Sequence, residues 1–379
     1  MKKLFLILLA IIVFQNLSSA KIRRVGFFGS PIAGTDYSTF AAAYTAAVAD
    51  DSILVFPGIP AINQIIAKKL IIIGPGSWLD PTSTPKGNTN LQAFPGTVSL
   101  STLTFHPGSE GSVVMGLEGG TIFIVASNIT IRRNREFGVY IAYTNPAAVV
   151  NNLQILENYR VSIVSYYQNG SSVTNMNVSN NLISVFATEP LNTYSGIISN
   201  NVWAFDNTLN ASANGGTSTI SNYNSIQLGG GAYVFQKNIL VPSTSTILSG
   251  NQNVFNFLNA GNAVFNYNMA LQTGAGAAQT WGGGGTGNVI TPFANVDNIF
   301  NGFPAIGSFS ADARYKLKPA SPALTVGPGG TPIGMFTGNT PYKLGMIPKI
   351  PSIYQLSSPQ GNNPTGNTLQ INVSTRGNN

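Results

Sequence analysis

The runs Ile129-Thr130-Ile131-Arg132-Arg133-Asn134 and Leu153-Gln154-Ile155-Leu156-Glu157-Asn158 decide the fold. Each is a brief β-rich segment with apolar residues at alternate positions, closed by an asparagine. Laying Asn134 on Asn158 also lays Ile129 on Leu153, Ile131 on Ile155 and Val139 on Ile163, so apolar residues meet apolar residues. The turn returns at Asn181 and Asn201, and the four positions are 24, 23 and 20 residues apart. That period suits one coil of a solenoid, whereas hairpins recur every 8–12 residues or about that. The segments Phe235-Gln236-Lys237-Asn238-Ile239 and Asn253-Val254-Phe255 continue the theme less regularly. Asparagine tolerates a left-handed backbone, and its amide can bond to the same amide one rung, about 4.8 Å, away. Asn134, Asn158, Asn181 and Asn201 are therefore expected to form a structural ladder rather than a catalytic set.

Upstream, Thr35 to Ala49 carries the one clear helix signal, with Thr35 or Asp36 as N-cap and Phe40, Ala43, Tyr44, Ala47 and Val48 at helical spacing. It leads into Ser52-Ile53-Leu54-Val55-Phe56-Pro57-Gly58, an apolar strand stopped by a Pro-Gly turn. A helix over the first rung would shield an open apolar end from solvent and from edge pairing. At the start, Lys2 and Lys3 precede an apolar run from Leu4 to Phe14 that ends in Leu17-Ser18-Ser19-Ala20. This pattern predicts a signal peptide over residues 1–20, cut after Ala20. A membrane anchor would need about 18 or more continuous apolar residues, and Gln15-Asn16 break the run. No later stretch is long and apolar enough to predict a membrane span, so the expected location is secreted or cell-surface.

Composition agrees with an all-β class: 41 Gly, 22 Pro and only 8% charged residues. With no cysteine, the chain has no disulfide, thiolate metal site, cysteine nucleophile or lipidated cysteine. Loss of Lys2 and Lys3 with the leader leaves 17 basic against 12 acidic residues, a formal charge of +5. That mild excess could favour acidic glycans or anionic surfaces. Nothing resembles the basic stripe with interleaved aromatics expected of a nucleic-acid binder.

The helix with its following Phe-Pro-Gly strand end, the Asn-terminated coils and the closing run Tyr315-Lys316-Leu317-Lys318-Pro319-Ala320-Ser321-Pro322-Ala323 together resemble the pectate-lyase-like superfamily of secreted β-helix proteins. The likeness spans Val25 to Phe336. It implies an all-β, right-handed parallel β-helix solenoid over residues 21–336, with an N-terminal capping helix. Residues 337–379 read as an extended Pro-rich tail, with Pro341, Pro348, Pro351, Pro359 and Pro364. The tail ends in Thr368 to Thr375, where Leu369, Ile371 and Val373 alternate with polar residues and predict one half-buried strand. Such a strand needs a partner, either the solenoid or a second chain.

The superfamily includes lyases, hydrolases, phage tailspikes and adhesins, so the likeness speaks to fold rather than function. A calcium-dependent lyase needs clustered acidic ligands and a base. Between Thr121 and Phe300 the acids are only Glu136, Glu157, Glu189, Asp206 and Asp297, and they are scattered. The paired aspartates and Gly-His-Gly motif of the fold-related polygalacturonases are missing; the one Asp pair, Asp50-Asp51, lies at the helix end. His106 sits in the turn Phe105-His106-Pro107-Gly108 with no recognisable carboxylate partner. Gly282 to Gly285 lack the Lys-Ser or Lys-Thr of a phosphate loop, and Ala270 to Gly287 read as a mobile loop presenting Trp281. No metal site or cofactor is expected.

The 24-residue register places Arg133 on Glu157 and Glu136 on Arg160, opposite charges on neighbouring rungs. Arg132 and Arg135 are then in surplus. With Tyr140, Tyr143 and Tyr159 near in sequence, the candidate ligand-binding residues are Arg132, Arg135, Tyr159 and Arg160, which suit an acidic polysaccharide or cell-surface glycan through bidentate and stacking contacts. Tyr166, Tyr167, Tyr194, Trp203, Tyr223 and Tyr233 recur through the coils and would supply an outward aromatic row if some face solvent. The leading expectation is a secreted non-catalytic binding module. The alternatives are a polysaccharide lyase or glycoside hydrolase acting on acidic glycans, and a self-associating cell-surface structural protein.

Overall fold

The computed structural model describes residues 20–78, 96–142, 148–165, 171–187, 193–204, 225–227, 231–241, 256–258, 262–272, 281, 284–303, 309–348, 352–357 and 372–376. Two long twelve-stranded sheets dominate it, and every strand pair within them is parallel. Successive strands alternate between the sheets: Thr130–Arg132 in the first is followed by Gly138–Ile141 in the second, and Gln154–Leu156 by Val161–Ser165. The arrangement is consistent with a β-helix-like solenoid.

The register follows the apolar alternation. Ile53, Ile72, Val114, Ile131, Ile155, Val178, Ile198, Phe235 and Phe265 pair in succession down the first sheet. All nine are fully buried. The second sheet answers with Leu103, Ile122, Val139, Ile163 and Phe186, again partner on partner. Between the sheets these files make one continuous core. The expected stacking of Ile131 on Ile155 and of Val139 on Ile163 is present.

The helix is shorter than its periodicity suggests, covering Phe40–Ala46 with Thr39 as N-cap, whose side chain accepts from the Ala42 amide at 3.3 Å. Neither Thr35 nor Asp36 caps it, because Asp36 and Tyr37 pair in parallel with Arg24 and Val25. The Asp36 carboxylate is already occupied by the Arg24 guanidinium and the Ile32 amide. Phe40 and Ala43 of the helix are buried in the same core as Val25 and Ile53.

The strands of the long sheets end at Val289–Pro292, well before the expected boundary at 336. Val296, Ile299, Phe300, Tyr315, Ile333, Met335, Tyr342 and Met346 instead form a second apolar cluster with Leu182, Val202, Ile239 and Met269. Those last four lie on the second sheet, beside the core-facing Ile183, Trp203, Leu240 and Ala270. Consecutive apolar residues there bury both faces of the sheet. The final strand also differs from expectation: Asn372–Arg376 pairs antiparallel with Ser352–Ser357 of the same chain. Leu369 and Ile371 lie outside the described residues.

Candidate functional site

The corner from first to second sheet carries the asparagine ladder. Asn134 donates through its backbone amide to Asn158 Oδ1 at 2.9 Å, Asn158 likewise to Asn181 at 2.9 Å, and Asn181 to Asn201 at 2.9 Å. Each side-chain Nδ2 also reaches the next Oδ1, at 3.3, 2.9 and 3.0 Å in turn. The same pattern continues from Asn201 to Asn238, Asn268 and Asn288. Sequence spacing missed the last two because insertions between repeats stretch the separations to 37 and 30 before they return to 20. Their signal was local: an asparagine directly followed by two apolar residues, as in Asn268-Met269-Ala270 and Asn288-Val289-Ile290.

The left-handed residue common to these corners is not the ladder asparagine but the residue before it, joined at the first two by Glu136 and Arg160. Arg133, Glu157, Asn180, Asn200, Lys237 and Tyr267 have φ of 54°, 57°, 59°, 54°, 56° and 55°. A non-glycine residue pays roughly 1–2 kcal/mol for that conformation, which the ladder bonds offset. This row is overlaid by residues 333–348, which run along it toward the N-terminal repeats. The Gly334 amide donates to Lys237 O at 3.0 Å, Asn180 Nδ2 to Met335 O at 2.9 Å and Arg133 Nη1 to Ile347 O at 2.6 Å.

The charged residues lie at the N-terminal part of this corner. Arg133 is fully buried, with Nε 2.6 Å from Glu157 Oε2, and Arg160 Nη1 is 3.3 Å from Glu136 Oε1. Burial lowers the Arg133 guanidinium below its ordinary value, opposed by the adjacent Glu157 carboxylate. Arg132 and Arg135 are both paired rather than free. Arg132 pairs with the other oxygen of Glu157, while Arg135 meets Glu118 at 3.1 Å and Glu136 at 3.4 Å. Arg135 also lies over the ring of Trp78, 4.5 Å from its centroid, a partner that spacing gave no reason to expect.

Tyr159 does not offer a stacking face. It is buried, donates its hydroxyl to Ala311 O at 3.2 Å and meets Trp78 edge-on at 4.6 Å. Burial pushes its phenol well above the ordinary range. Tyr194, Trp203 and Tyr233 are likewise core residues rather than an outward row. Tyr143, Tyr166, Tyr167 and Tyr223 lie outside the described residues. Trp281 packs on the core at 6.0 Å from Phe265, and Gly284 accepts from the Phe265 amide at 2.9 Å, so neither belongs to a freely presenting loop.

A different polar row runs along the first sheet and the turn before it. Asn152 Nδ2 donates to Asn128 Oδ1 at 3.0 Å, Gln154 Nε2 to Asn152 Oδ1 at 2.7 Å, and Asn177 Nδ2 to Gln154 Oε1 at 2.9 Å. Asn128 and Asn152 are exposed, and Gln154 and Asn177 are half-buried. Thr130, Gln154 and Asn177 are direct register partners, two positions along from the aligned Arg132, Leu156 and Ser179. The amides and Arg132 thus share one outward face.

Among the described residues no group of three or more His, Cys, Asp or Glu side chains is placed to hold a metal ion. His106 lies in a turn closed by the Ser109 amide on its carbonyl at 3.0 Å. No described helix is long and apolar enough to cross a membrane. No protein-family model, curated protein or solved structure matches the chain.

Proposed function

We propose that the chain is an exported, non-catalytic right-handed parallel β-helix that binds an acidic extracellular polysaccharide along the outer face of its first sheet. Right-handedness follows from the rule that about 98% of parallel crossovers within a sheet take that hand. In this reading the helix Phe40–Ala46 caps the N-terminal repeat, and the leader ending at Ala20 directs export.

The observation that carries the binding assignment is the amide row Asn128, Asn152, Gln154 and Asn177. An amide has two donor hydrogens and an acceptor oxygen, so the row has more bonding capacity than its internal contacts use. Repeats about 4.8 Å apart present these groups as a linear array, which suits a polymer. Arg132 on the same face is one of two arginines sharing the single Glu157 carboxylate, so this group keeps one net positive charge toward an acidic sugar. The Arg132 side chain is 15% exposed despite the pairing to Glu157.

The test is retention on immobilised acidic and neutral polysaccharides at low ionic strength, with product ends monitored. Combined Asn152→Gly, Gln154→Ala and Asn177→Ala should weaken binding roughly tenfold while costing no more than about 1.5 kcal/mol in thermal unfolding, because glycine adopts the left-handed φ of 55° at Asn152 and the other two are half-buried surface positions. Added salt should weaken the acidic case selectively. Failure of the parent chain to bind any polysaccharide, equal binding by the triple variant, or the appearance of new reducing or unsaturated ends would each refute the assignment.

A further inference from the structure

Asp51 is a fully buried carboxylate close to the expected cleavage point. Its Oδ1 accepts the backbone N–H of Lys21 at 2.7 Å, while Oδ2 accepts Arg23 Nε at 2.8 Å and the Val48 amide at 3.0 Å. Burial alone would raise this carboxyl, but the amides of Lys21 and Val48 and the Arg23 guanidinium together hold it below the usual carboxylate range. Lys21 is fixed from its other side by the Ser52 amide, which donates to Lys21 O at 2.9 Å. Ala20 and Lys21 are both exposed, and the strand Ile22–Val25 begins directly after them.

We propose that the fold is built to receive a new N-terminus at Lys21: cleavage of the Ala20–Lys21 bond creates an α-ammonium that ion-pairs with buried Asp51. The proposal rests on the export reading above. An endopeptidase of the export machinery would add water across the amide bond, leaving a carboxylate on Ala20 and an amine on Lys21 that takes up a proton. In the uncut chain the Lys21 nitrogen is a neutral amide with one hydrogen. After cleavage the same atom, already within bonding distance of Asp51, carries three hydrogens and a full charge, and the bond becomes charge-assisted.

The neighbouring charged and titratable groups already have partners of their own. Arg23 Nη1 donates to the Tyr37 hydroxyl at 2.8 Å, and Asp50 pairs with Lys69 at 2.5 Å. Lys68 Nζ donates to Tyr44 O at 2.9 Å and Ala47 O at 2.7 Å at the helix end. Asp51 is thus the carboxylate that the new ammonium meets. A free α-amine ordinarily titrates at about 7.7–8.0. Pairing raises that value in the folded chain, so the added stability is complete below pH 8 or about that, and is lost as pH rises through the raised value.

Two measurements separate this proposal from the export reading. Intact mass and N-terminal sequencing of the exported protein should show Lys21 first. In vitro, a chain released by a protease to begin at Lys21 should be compared with one bearing a single extra glycine before Lys21, which keeps the charge count but displaces the ammonium. At pH 7 the Lys21 start should have a folding constant about tenfold larger, and the gap should close on raising the pH through the amine. Asp51→Asn should abolish the gap; if that variant does not fold, the two starts alone decide. An exported chain that begins elsewhere overturns the processing point. Equal unfolding of the two starts at pH 7 overturns the ion pair while leaving the export reading intact.

Discussion

Replacing Asn181 with alanine should be among the most damaging single changes in the chain. Its Oδ1 accepts both the Asn158 amide and Asn158 Nδ2, each at 2.9 Å. Its own Nδ2 shares its two hydrogens among Ile155 O at 2.8 Å, Ser179 O at 3.0 Å and Asn201 Oδ1 at 3.0 Å. Asn158, Asn181 and Asn201 are all buried, so water does not replace the lost partners without local opening. A stranded buried polar group costs about 1–3 kcal/mol. The unsatisfied Asn158 amide, together with the lost Nδ2 bonds to Ile155 O and Asn201 Oδ1, then gives a loss of about 3 kcal/mol. Asn134→Ala should cost about as much, because it likewise strands one buried backbone amide, that of Leu117 at 3.1 Å, and removes the bonds from its Nδ2 to Val114 O at 3.1 Å and Asn158 Oδ1 at 3.3 Å. Asn152→Ala, at an exposed turn with φ of 55°, should cost only about 1 kcal/mol, the left-handed backbone being one that asparagine tolerates better than alanine. Urea unfolding of the three variants, with hydrogen exchange at the Asn158 amide, measures the series. If Asn181→Ala costs under about 1 kcal/mol, or no more than Asn152→Ala, the ladder does not hold the corner together.

Arg133→Met should cost about 1–3 kcal/mol in urea unfolding, since it removes one of the two arginines on Glu157 and the bond to Ile347 O while Arg132 keeps the carboxylate paired. It should also make residues 333–348 more sensitive to limited proteolysis, and an unchanged digest would mean the overlay is held by its apolar contacts alone. Asp51, with its depressed carboxyl, contributes stability that is present above the ordinary carboxylate range and is lost as pH falls through its lowered value. Asp51→Asn should therefore flatten the acid limb of the stability profile, and a variant that parallels the parent below pH 4 or about that would contradict this. Gly196→Ala would set a Cβ 2.1 Å from Met176 O. It should destabilise by more than about 1 kcal/mol in thermal unfolding, and a neutral result would show that this rung can shift.

The register and the first four ladder positions were legible because both depend on local chemistry repeated at nearly constant spacing. Ile131 on Ile155 and Asn134 on Asn158 need only a period and an alternation. The overlay of residues 333–348 was not legible. Its contacts join residues 155 apart at Asn180 and Met335, and 214 apart at Arg133 and Ile347, and no periodicity links such pairs. A trace of it stood in Leu182-Ile183, Val202-Trp203 and Ile239-Leu240, where adjacent apolar residues imply a sheet buried on both faces. The arginine cluster was half legible. Spacing placed Arg133 on Glu157 and Arg160 on Glu136, but the partners of Arg135 come from other segments, Glu118 and Trp78. The helix start was misplaced because Asp36, a good cap by type, serves a strand pair and Arg24 instead.

The overlay also restricts where a long ligand could lie. It occupies the corner row and the flank built on Leu182, Val202, Ile239 and Met269, which removes that side of the fold from contact with a polymer. The outward file of the first sheet changes character along its length. Thr130, Gln154 and Asn177 are followed in register by Ile197, Val234 and Val264. Ile197 is 46% exposed and Val264 40% exposed, large values for aliphatic residues with no partner needed by the core. A sugar ring has hydroxyl edges that bond to amides and C–H faces that pack on aliphatic groups. A file that passes from amides to aliphatic residues meets both kinds of surface in one chain of sugars, whereas a purely charged ligand would gain nothing from its second half. This physical division, and not the arginine cluster, is the stronger reason for placing a polysaccharide on the first sheet.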